Sequence, residues 1–199
     1  MSRKFVLASG SETRAQLLAN AGFEFECVRP RVDEEQLKAA LDSAGANPRD
    51  IADTLAEAKA RKVSLKQPAA LVLGCDQVLS FNGKVFSKPA TIDEAHEQLT
   101  ALSGQKHMLL SAVVLYHEQQ PVWRHVGQVR LQMRELSEGY QERYLERNWK
   151  SIKTSVGGYK LEEEGVRLFT HIEGDYFTIL GLPLIELINY LTLTGELEA

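Results

Sequence analysis

The sequence has few of the features that mark specialised classes of protein. It contains only two cysteines in 199 residues, Cys27 and Cys75, and their spacing matches no zinc motif. A disulfide between them stays open, but small apolar side chains in a reducing compartment are the simpler interpretation. No apolar run reaches the roughly 18 residues that a bilayer-spanning helix needs. The opening segment also lacks the apolar stretch of a signal peptide, so we expect a cytoplasmic location.

The sequence also lacks an excess of positive charge. The 23 lysines and arginines stand against 27 aspartates and glutamates, which gives a formal net charge of −4. A domain that binds duplex nucleic acid usually has a basic surface, so a nucleic-acid partner is not expected. Nothing in the sequence indicates a membrane partner either. An anionic ligand would require local lysines, arginines or a metal ion to offset the overall charge.

Several common catalytic motifs are missing. There is no Gly-x-Ser-x-Gly elbow, no Walker A loop and no Cys-x-x-Cys pair, and the five histidines show no spacing typical of metal ligands. A serine hydrolase of the elbow type, a P-loop nucleotidase and a dithiol oxidoreductase are therefore disfavoured.

The sequence does contain short apolar runs that alternate with amphipathic segments. Helices are predicted over residues 13–21, 47–66, 91–102, 137–149 and 183–195. Strands are predicted over residues 5–8, 23–28, 69–74, 108–116, 126–134 and 166–172, with a hairpin over 78–86. Because helices and strands alternate first and long strands follow, we expect an α/β fold with a mixed sheet flanked by helices. We expect one domain over 1–199, with two lobes.

The first candidate site lies between the first predicted strand and helix. Ser9, Gly10 and Ser11 follow the strand, and Arg14 comes one helical turn later. The first amides of a helix, two hydroxyls and a guanidinium together favour a phosphate group. The alternative is an ordinary capped helix with a solvated arginine.

Two acidic positions are candidates for metal binding or proton transfer. Asp76 comes just after the apolar run at 69–74, and ligands of open α/β sheets bind outside the carboxyl ends of strands. A carboxylate there can hold Mg²⁺ or accept a proton from water, or it can simply start the hairpin. Asp33, Glu34 and Glu35 form either the solvated first turn of a helix or oxygen ligands for a hard cation.

Three lysines, Lys59, Lys84 and Lys88, form a further candidate set, and two of them have distinctive surroundings. Lys59 lies in the middle of a predicted helix between alanines, on a sequence where Ile51, Leu55, Ala58 and Lys62 advance with helical spacing. Lys88 precedes a proline, which restrains the backbone beside it. Each lysine taken singly is compatible with an ordinary surface position.

Taken together, these segments resemble one family. The segment LASGSETRAQLL is similar to the Ser-x-Ser-x-Arg-Arg-x-x-Leu-Leu signature of the Maf family of nucleoside triphosphate pyrophosphatases, with Thr13 in place of the first arginine. Further blocks agree in order: Val32-Asp33-Glu34, LAEAKARKV, VLGCDQV with SKPATIDEAHEQLTALSG, and VGGYKLEEEG with IEGDYFTILGLPL. The resemblance spans nearly the whole chain. It implies an elongated fold of the inosine triphosphatase-like superfamily, with a cleft between two lobes.

The resemblance also implies an activity. A nucleoside triphosphate would be hydrolysed to monophosphate and pyrophosphate with Mg²⁺ or Mn²⁺, as a means of removing non-standard nucleotides. Asp76 is then expected to be the general base, with Lys59 and Lys88 stabilising charge on the phosphates. Glu34 and Asp76 are expected to hold the cation. The expected substrate-binding residues are Ser9, Ser11, Arg14, Gln77 and Glu162.

Base preference and catalysis leave alternatives open. Gln77 and Glu162 resemble the branch of the family that acts on 7-methyl-GTP, whereas that branch has tryptophan at the position of Thr13. Members that prefer dTTP and UTP have threonine and glutamine at the positions of Gln77 and Glu162. A non-catalytic nucleotide-binding protein linked to septum formation is the rival interpretation, and a homodimer is left open.

Overall fold

The computed structural model describes residues 3–198 and divides into two compact units. The first unit contains the described residues up to Gln77, Ser111–Gly127 and the described residues from Tyr176 onward. The second unit contains Val78–Leu110 and Gln128–Asp175. The domain predicted over 1–199 includes Met1, Ser2 and Ala199, which lie outside the described residues. A single domain with two lobes stays a prediction.

Helices and strands alternate through the first half of the chain, as the apolar runs predict. In chain order the elements are β1 (Phe5–Ala8), α1 (Glu12–Asn20), β2 (Glu26–Cys27), α2 (Glu34–Ser43), α3 (Pro48–Ser64), β3 (Leu71–Phe81), β4 (Lys84–Phe86), α4 (Ile92–Leu102), β5 (Lys106–His117), β6 (Gln120–Met133), α5 (Glu138–Ile152), β7 (Phe169–Glu173), α6 (Tyr176–Ile179) and α7 (Leu184–Leu193). Two short 3-10 helices, Val156–Gly158 and Glu164–Leu168, precede β7.

The strands form one mixed sheet. Within residues 3–198 its seven strands include the ordered path β2-β1-β3-β5-β6-β7, and β4 pairs with β3 outside this path. Strand β1 pairs in parallel with both β2 and β3, whereas β4 and β7 pair antiparallel with β3 and β6. The predicted α/β fold with a mixed sheet and helices is therefore confirmed. The elongated shape and the cleft stay predictions.

The core of the first unit forms around β1. All four residues of β1 are buried, which is typical of a parallel strand that is covered on both faces. Apolar side chains from α1, β3, β5 and α7 join it in one cluster, including Leu18, Leu73, Leu115 and Leu187. This cluster fixes the position of the end of β1 and of the part of β3 that lies beside it.

Helix α3 packs on β3 through main-chain atoms. Gly74 has no side chain, and a Cβ at this position would lie 2.6 Å from the backbone nitrogen of Ala60 and closer still to the carbonyl oxygen of Ala56. The buried face of the helix includes Leu55, Ala56 and Lys59. Lys59 lies on this buried face, whereas Lys62 is exposed.

Turn and cap residues behave as the sequence predicts. Asn82 and Gly83 have φ values of 50° and 78° and join β3 to β4, which confirms the hairpin. The side chains of Asn47 and Thr91 accept hydrogen bonds from the first turns of α3 and α4. These features depend on neighbouring residues only, so a local pattern is sufficient to find them.

Several predicted strand boundaries were wrong. The strand expected to begin at 126 begins at Gln120 as β6, the largest shift of a strand start. The strand expected to end at 74 continues as β3 to Phe81, so Asp76 lies inside a strand and not after one. The strand expected over 23–28 is reduced to Glu26–Cys27. The strand expected to begin at 166 begins at Phe169, because the preceding residues form a 3-10 helix.

The second unit contains a buried polar cluster. Nε2 of His107 lies 2.8 Å from the hydroxyl of Tyr159, and Phe169 packs against both rings. Burial lowers the pKa of His107 to about 4, so its imidazole is neutral at physiological pH. The cluster anchors the start of the segment that leads to Glu162.

The two cysteines differ in exposure. Both cysteines are free thiols, and Cys27 is exposed whereas Cys75 is buried. Burial raises the pKa of Cys75 to about 11, so its thiol stays protonated and unreactive. Among residues 3–198, no helix combines the length and apolar character needed to cross a membrane.

Candidate active site

The loop between β1 and α1 consists of Ser9, Gly10 and Ser11, and we call it the β1–α1 loop. Ser11 is the N-cap of α1, and its hydroxyl accepts a hydrogen bond from the amide of Arg14 at 3.3 Å. The hydroxyl of Ser9 accepts one from the amide of Ser11 at 3.2 Å. The serines therefore hold the loop in shape. Their roles in binding substrate stay predictions.

Arg14 lies underneath this loop and is buried. Its Nε donates a hydrogen bond to the carbonyl oxygen of Gly181 at 2.8 Å, and its Nη1 donates to that of Cys75 at 3.1 Å and to Ser9 Oγ at 3.4 Å. The solvated arginine of the alternative interpretation is wrong, because only 9% of this residue is exposed. The guanidinium joins β3 and the turn before α7 to the β1–α1 loop.

Asp76, Lys59 and Glu34 form a cluster of charged side chains around β3, the strand next to β1. The ammonium of Lys59 lies 2.6 Å from Oδ1 of Asp76 and 2.9 Å from Oε2 of Glu34. Asp76 and Lys59 are buried, with 5% and 6% of their surfaces exposed, whereas Glu34 is half-buried at the start of α2. Glu34 lies in the first turn of α2, as one interpretation of the acidic cluster predicts, and it contacts the ammonium of Lys59. Its role as a ligand of a hard cation stays a prediction.

Topology explains why a carboxylate inside β3 is available to a ligand. The last pairing between β1 and β3 joins Ala8 to Gly74, and β1 then turns away into the β1–α1 loop. Asp76 lies two residues beyond that pairing, so it follows the carboxyl end of the neighbouring strand although its own strand continues. The rule that ligands bind at strand ends still applies, but through β1.

The two oxygens of Asp76 differ in their surroundings. Oδ1 accepts the hydrogen bond from Lys59, whereas Oδ2 is buried and has no hydrogen-bond partner within residues 3–198. A buried carboxylate oxygen without a donor is costly, so such atoms usually serve a ligand, a water or a reaction. Oδ2 is therefore the atom of this cluster that is available to bind a ligand or water or to accept a proton.

The donor set is compatible with the divalent cation that the family resemblance implies. Mg²⁺ is usually held by one or two carboxylates together with waters and substrate phosphates, and Asp76 and Glu34 can supply them. Within the described residues, no group of three or more His, Cys, Asp or Glu side chains is arranged to hold a metal by itself. A cation here would consequently depend on the phosphates of a substrate for further ligands.

Gln77 is engaged in structural hydrogen bonds. Its Nε2 donates to the hydroxyl of Ser111 at 2.9 Å and to the carbonyl oxygens of Thr178 and Ile179 at 3.2 and 2.8 Å. These bonds join β3 to β5 and to the short helix α6. Its carbonyl oxygen Oε1 takes no part in them and is the group that can accept from a base. The role in base recognition stays a prediction.

Lys88 and Glu162 belong to the second unit. Lys88 is exposed in the segment between β4 and α4, and Glu162 is exposed in the turn before the second 3-10 helix. Both are hydrophilic loop positions of the kind that bind ligands. Their expected contacts with phosphate and base stay predictions.

Two groups important to the site were not found from the sequence. They are the carbonyl oxygens of Cys75 and Gly181, which bind Arg14 from positions 61 and 167 residues away. Main-chain acceptors have no sequence signature of their own. Gly181 does carry one signal, since its φ of 89° and the guanidinium beside it, 3.1 Å from where a Cβ would lie, require glycine.

A phosphate-suited loop beside a buried carboxylate and lysine is typical of enzymes that act on phosphorylated substrates. The family model for Maf-like proteins matches residues 4–194, and the chain belongs to this family. The nucleoside triphosphate pyrophosphatase of Ruegeria sp. (strain TM1040) is 61% identical over 198 residues, and the match covers 100% of both chains. The 7-methyl-GTP pyrophosphatase of Mesorhizobium japonicum is 48% identical over 198 residues, again with 100% of both chains covered.

Proposed function

We propose that this protein hydrolyses a nucleoside triphosphate to the nucleoside monophosphate and pyrophosphate. The observation that carries the proposal is the buried oxygen Oδ2 of Asp76, which has no hydrogen-bond partner within residues 3–198, while Lys59 binds Oδ1. The relatives in Ruegeria sp. and Mesorhizobium japonicum are both named as pyrophosphatases, which supports the same reaction.

Binding of the triphosphate relies on the first unit's loop. The β1–α1 loop presents the hydroxyls of Ser9 and Ser11 beside the start of α1, whose dipole favours anionic groups. A fully ionised triphosphate carries about four negative charges, and the chain has a net charge of −4. Local cations must therefore offset the repulsion, and Lys59 and Lys88 are the lysines we assign to this task.

The reaction is a displacement at the α-phosphorus. A water oxygen attacks the phosphorus while Oδ2 of Asp76 accepts its proton, and the bond from phosphorus to the bridging oxygen breaks as pyrophosphate leaves. Lys59 holds Asp76 in place through Oδ1, which leaves Oδ2 directed to the water. Lys88 stabilises negative charge on the phosphates.

Mg²⁺ or Mn²⁺ would be held by Asp76 and Glu34. When bound, such an ion offsets phosphate charge and lowers the pKa of water. We expect activity to disappear when EDTA removes the ion and to return when the ion is added back in excess.

The test is a pyrophosphate-release assay over standard and modified nucleoside triphosphates, each with Mg²⁺ and with Mn²⁺. Release of pyrophosphate from at least one substrate, with its loss in EDTA, is the expected result. A folded protein that binds nucleotides but releases no pyrophosphate from any of them would establish the rival function, a non-catalytic nucleotide-binding protein linked to cell division.

A second candidate is a preference for 7-methyl-GTP. It is favoured by Gln77 and Glu162, which match that branch, and by the relative of that name in Mesorhizobium japonicum. The relative with 61% identity has the broader name, so we propose the broader activity first. We also propose that the enzyme works in the cytoplasm without nucleic acid or membrane, and light scattering should decide whether it is a homodimer.

A further inference from the structure

We infer that Arg29 is a substrate-binding residue that holds the leaving pyrophosphate. This assignment rests on the proposed function, because it concerns the same substrate. Neither the sequence motifs nor the charge pattern singles out Arg29, which lies in a short segment after β2 and is exposed. Its position relative to the β1–α1 loop is what points to the role.

The topology brings Arg29 to the edge of the sheet where the loop lies. Strands β2, β1 and β3 are parallel neighbours, so their carboxyl ends meet at one edge. The amide of Val28 donates a hydrogen bond to the carbonyl oxygen of Leu7 at 2.9 Å, which continues the pairing of β2 with β1. Arg29 is the next residue, and it leaves the sheet beside the β1–α1 loop.

The side chain of Arg29 lies against the loop itself. A Cβ placed on Gly10 would be 3.5 Å from the Cγ, Cδ and Nε atoms of Arg29. This is ordinary van der Waals distance, so the stem of Arg29 crosses the loop at Gly10. The guanidinium begins at Nε and is therefore carried beside the amides and hydroxyls that favour phosphate.

The two arginines near the loop differ in what they can offer a ligand. Arg14 is buried and uses Nε and Nη1 for hydrogen bonds to Gly181, Cys75 and Ser9. Arg29 makes no hydrogen bond and no ion pair anywhere in residues 3–198. A guanidinium has five N–H donors in a planar fork that matches the oxygens of a phosphate. Arg29 can present this fork, whereas most of that of Arg14 is already committed to the fold.

The order of the strands determines which phosphates Arg29 can reach. Asp76 is on β3 and Arg29 follows β2, on opposite sides of β1. Neighbouring strands are about 4.8 Å apart, so the two residues lie roughly 10 Å from each other across the sheet. The α-phosphorus must lie next to Asp76, since the attacking water loses its proton there. Arg29 consequently contacts the β- and γ-phosphates, which leave together as pyrophosphate.

The experiment compares Arg29→Gln and Arg29→Lys with the wild type. Arg49→Gln is the matched control, because it removes the same charge from an exposed position at the start of α3. We would measure kcat and KM for the best substrate of the panel. We would also measure the dissociation constants of inorganic pyrophosphate and of the nucleoside monophosphate by calorimetry, with Mg²⁺ present.

Arg29→Gln should raise both the KM and the dissociation constant of pyrophosphate roughly tenfold to a hundredfold, as expected for the loss of a charge-assisted hydrogen bond. The monophosphate should bind with unchanged affinity. The KM and the pyrophosphate dissociation constant of Arg29→Lys should lie between those of the wild type and of Arg29→Gln, since lysine keeps the charge but lacks the planar guanidinium. Both constants of Arg49→Gln should match those of the wild type.

Wild-type affinity for pyrophosphate in Arg29→Gln overturns the inference, as does an equal loss of affinity for the monophosphate. Either result, obtained with an active wild-type enzyme, leaves the proposed function in place. A wild-type protein that releases no pyrophosphate from any substrate refutes the proposed function instead, and the leaving-group role is refuted with it.

Discussion

Lys59 donates to Oδ1 of Asp76 at 2.6 Å and lies 2.9 Å from Oε2 of Glu34, so one buried ammonium joins a strand to the first turn of a helix. Because the ammonium binds one oxygen of Asp76 only, the carboxylate is held firmly while its second oxygen remains available. A single side chain of α3 thus both neutralises the carboxylate and directs it.

Asp76→Asn should reduce pyrophosphate release by more than about 100-fold, the lower range for removal of a general base. Asparagine can still accept the hydrogen bond from Lys59 but cannot take up a proton from water. The rate of pyrophosphate release, measured at saturating substrate, checks this prediction. Asp42→Asn is the control, because Asp42 is an exposed aspartate at the other end of α2.

A double variant separates chemistry from folding. Asp76→Asn leaves the ammonium of Lys59 buried with Glu34 as its remaining partner, which should lower the free energy of unfolding. Lys59→Met combined with Asp76→Asn removes both buried charges and should recover part of that free energy without recovering activity. Activity close to wild type in either folded variant would show that Asp76 is not the base.

Arg14→Gln should lower the free energy of unfolding by roughly 2–6 kcal/mol, because the carbonyl oxygens of Cys75 and Gly181 would each lose a buried donor. Arg14→Lys should rescue little of this, since a lysine cannot present two donors in a planar fork. Urea unfolding followed by circular dichroism gives the measurement. Arg143→Gln, an exposed change on α5, should remain within about 0.5 kcal/mol of the wild type. A fully stable Arg14→Gln protein would mean that Arg14 is not a structural clamp.

His107 should make the protein less stable in mild acid. Burial lowers its pKa to about 4 from an ordinary value of 6.5, so between these values the unfolded chain binds a proton that the folded protein does not. The free energy of unfolding should therefore fall as the pH falls from about 6.5 to 4, by up to about 3 kcal/mol from this residue.

The comparison for His107 is with His107→Gln, which cannot take up the proton. The difference between wild type and variant, measured by urea unfolding at several pH values, isolates the contribution of His107 from that of the carboxylates. His171→Gln serves as the control, because His171 is exposed on β7. Parallel curves for wild type and His107→Gln would contradict the buried neutral imidazole.

Glu162 should favour guanine-type substrates. A carboxylate can accept two hydrogen bonds from the ring N–H and the amino group of guanine, and it repels the carbonyl oxygens of uracil and thymine. We expect kcat/KM for GTP or 7-methyl-GTP to exceed that for dTTP or UTP by roughly tenfold to a hundredfold. Glu162→Gln should narrow this ratio, and Glu142→Gln, on the exposed face of α5, should not. A wild-type preference for dTTP or UTP would show that Glu162 does not contact the base in this way.

Sequence patterns found the elements whose causes are local. The caps Asn47 and Thr91 and the turn at Asn82 and Gly83 each depend on residues within one turn of the chain, and the structure contains all of them. The order of strands and helices was accessible for the same reason. The short helix α6 was missed, because its four residues are too few for helical spacing to show.

The contacts of the buried polar residues in the site could not be predicted from the sequence in the same way. The apolar pattern stops before Asp76 because hydropathy treats an aspartate as a surface residue, whereas Lys59 offsets its charge from another element of the fold. The burial of Arg14 could not be predicted for a similar reason, since the carbonyl oxygens that accept its hydrogen bonds lie far along the chain. Pairings of this kind are created by tertiary contacts, and no local periodicity reports them.

The close approach of α3 to β3 at Gly74 has a consequence for the protein's motions. With no side chain between helix and strand, the helix cannot shift along β3 without first separating from it. Amide protons in the middle of these two elements should thus exchange with deuterium together, at the rate of global opening, whereas those of the β1–α1 loop exchange through local openings. The distance between Lys59 and Asp76 should accordingly stay the same from one turnover to the next. The movements that admit substrate and release product should occur in the loops.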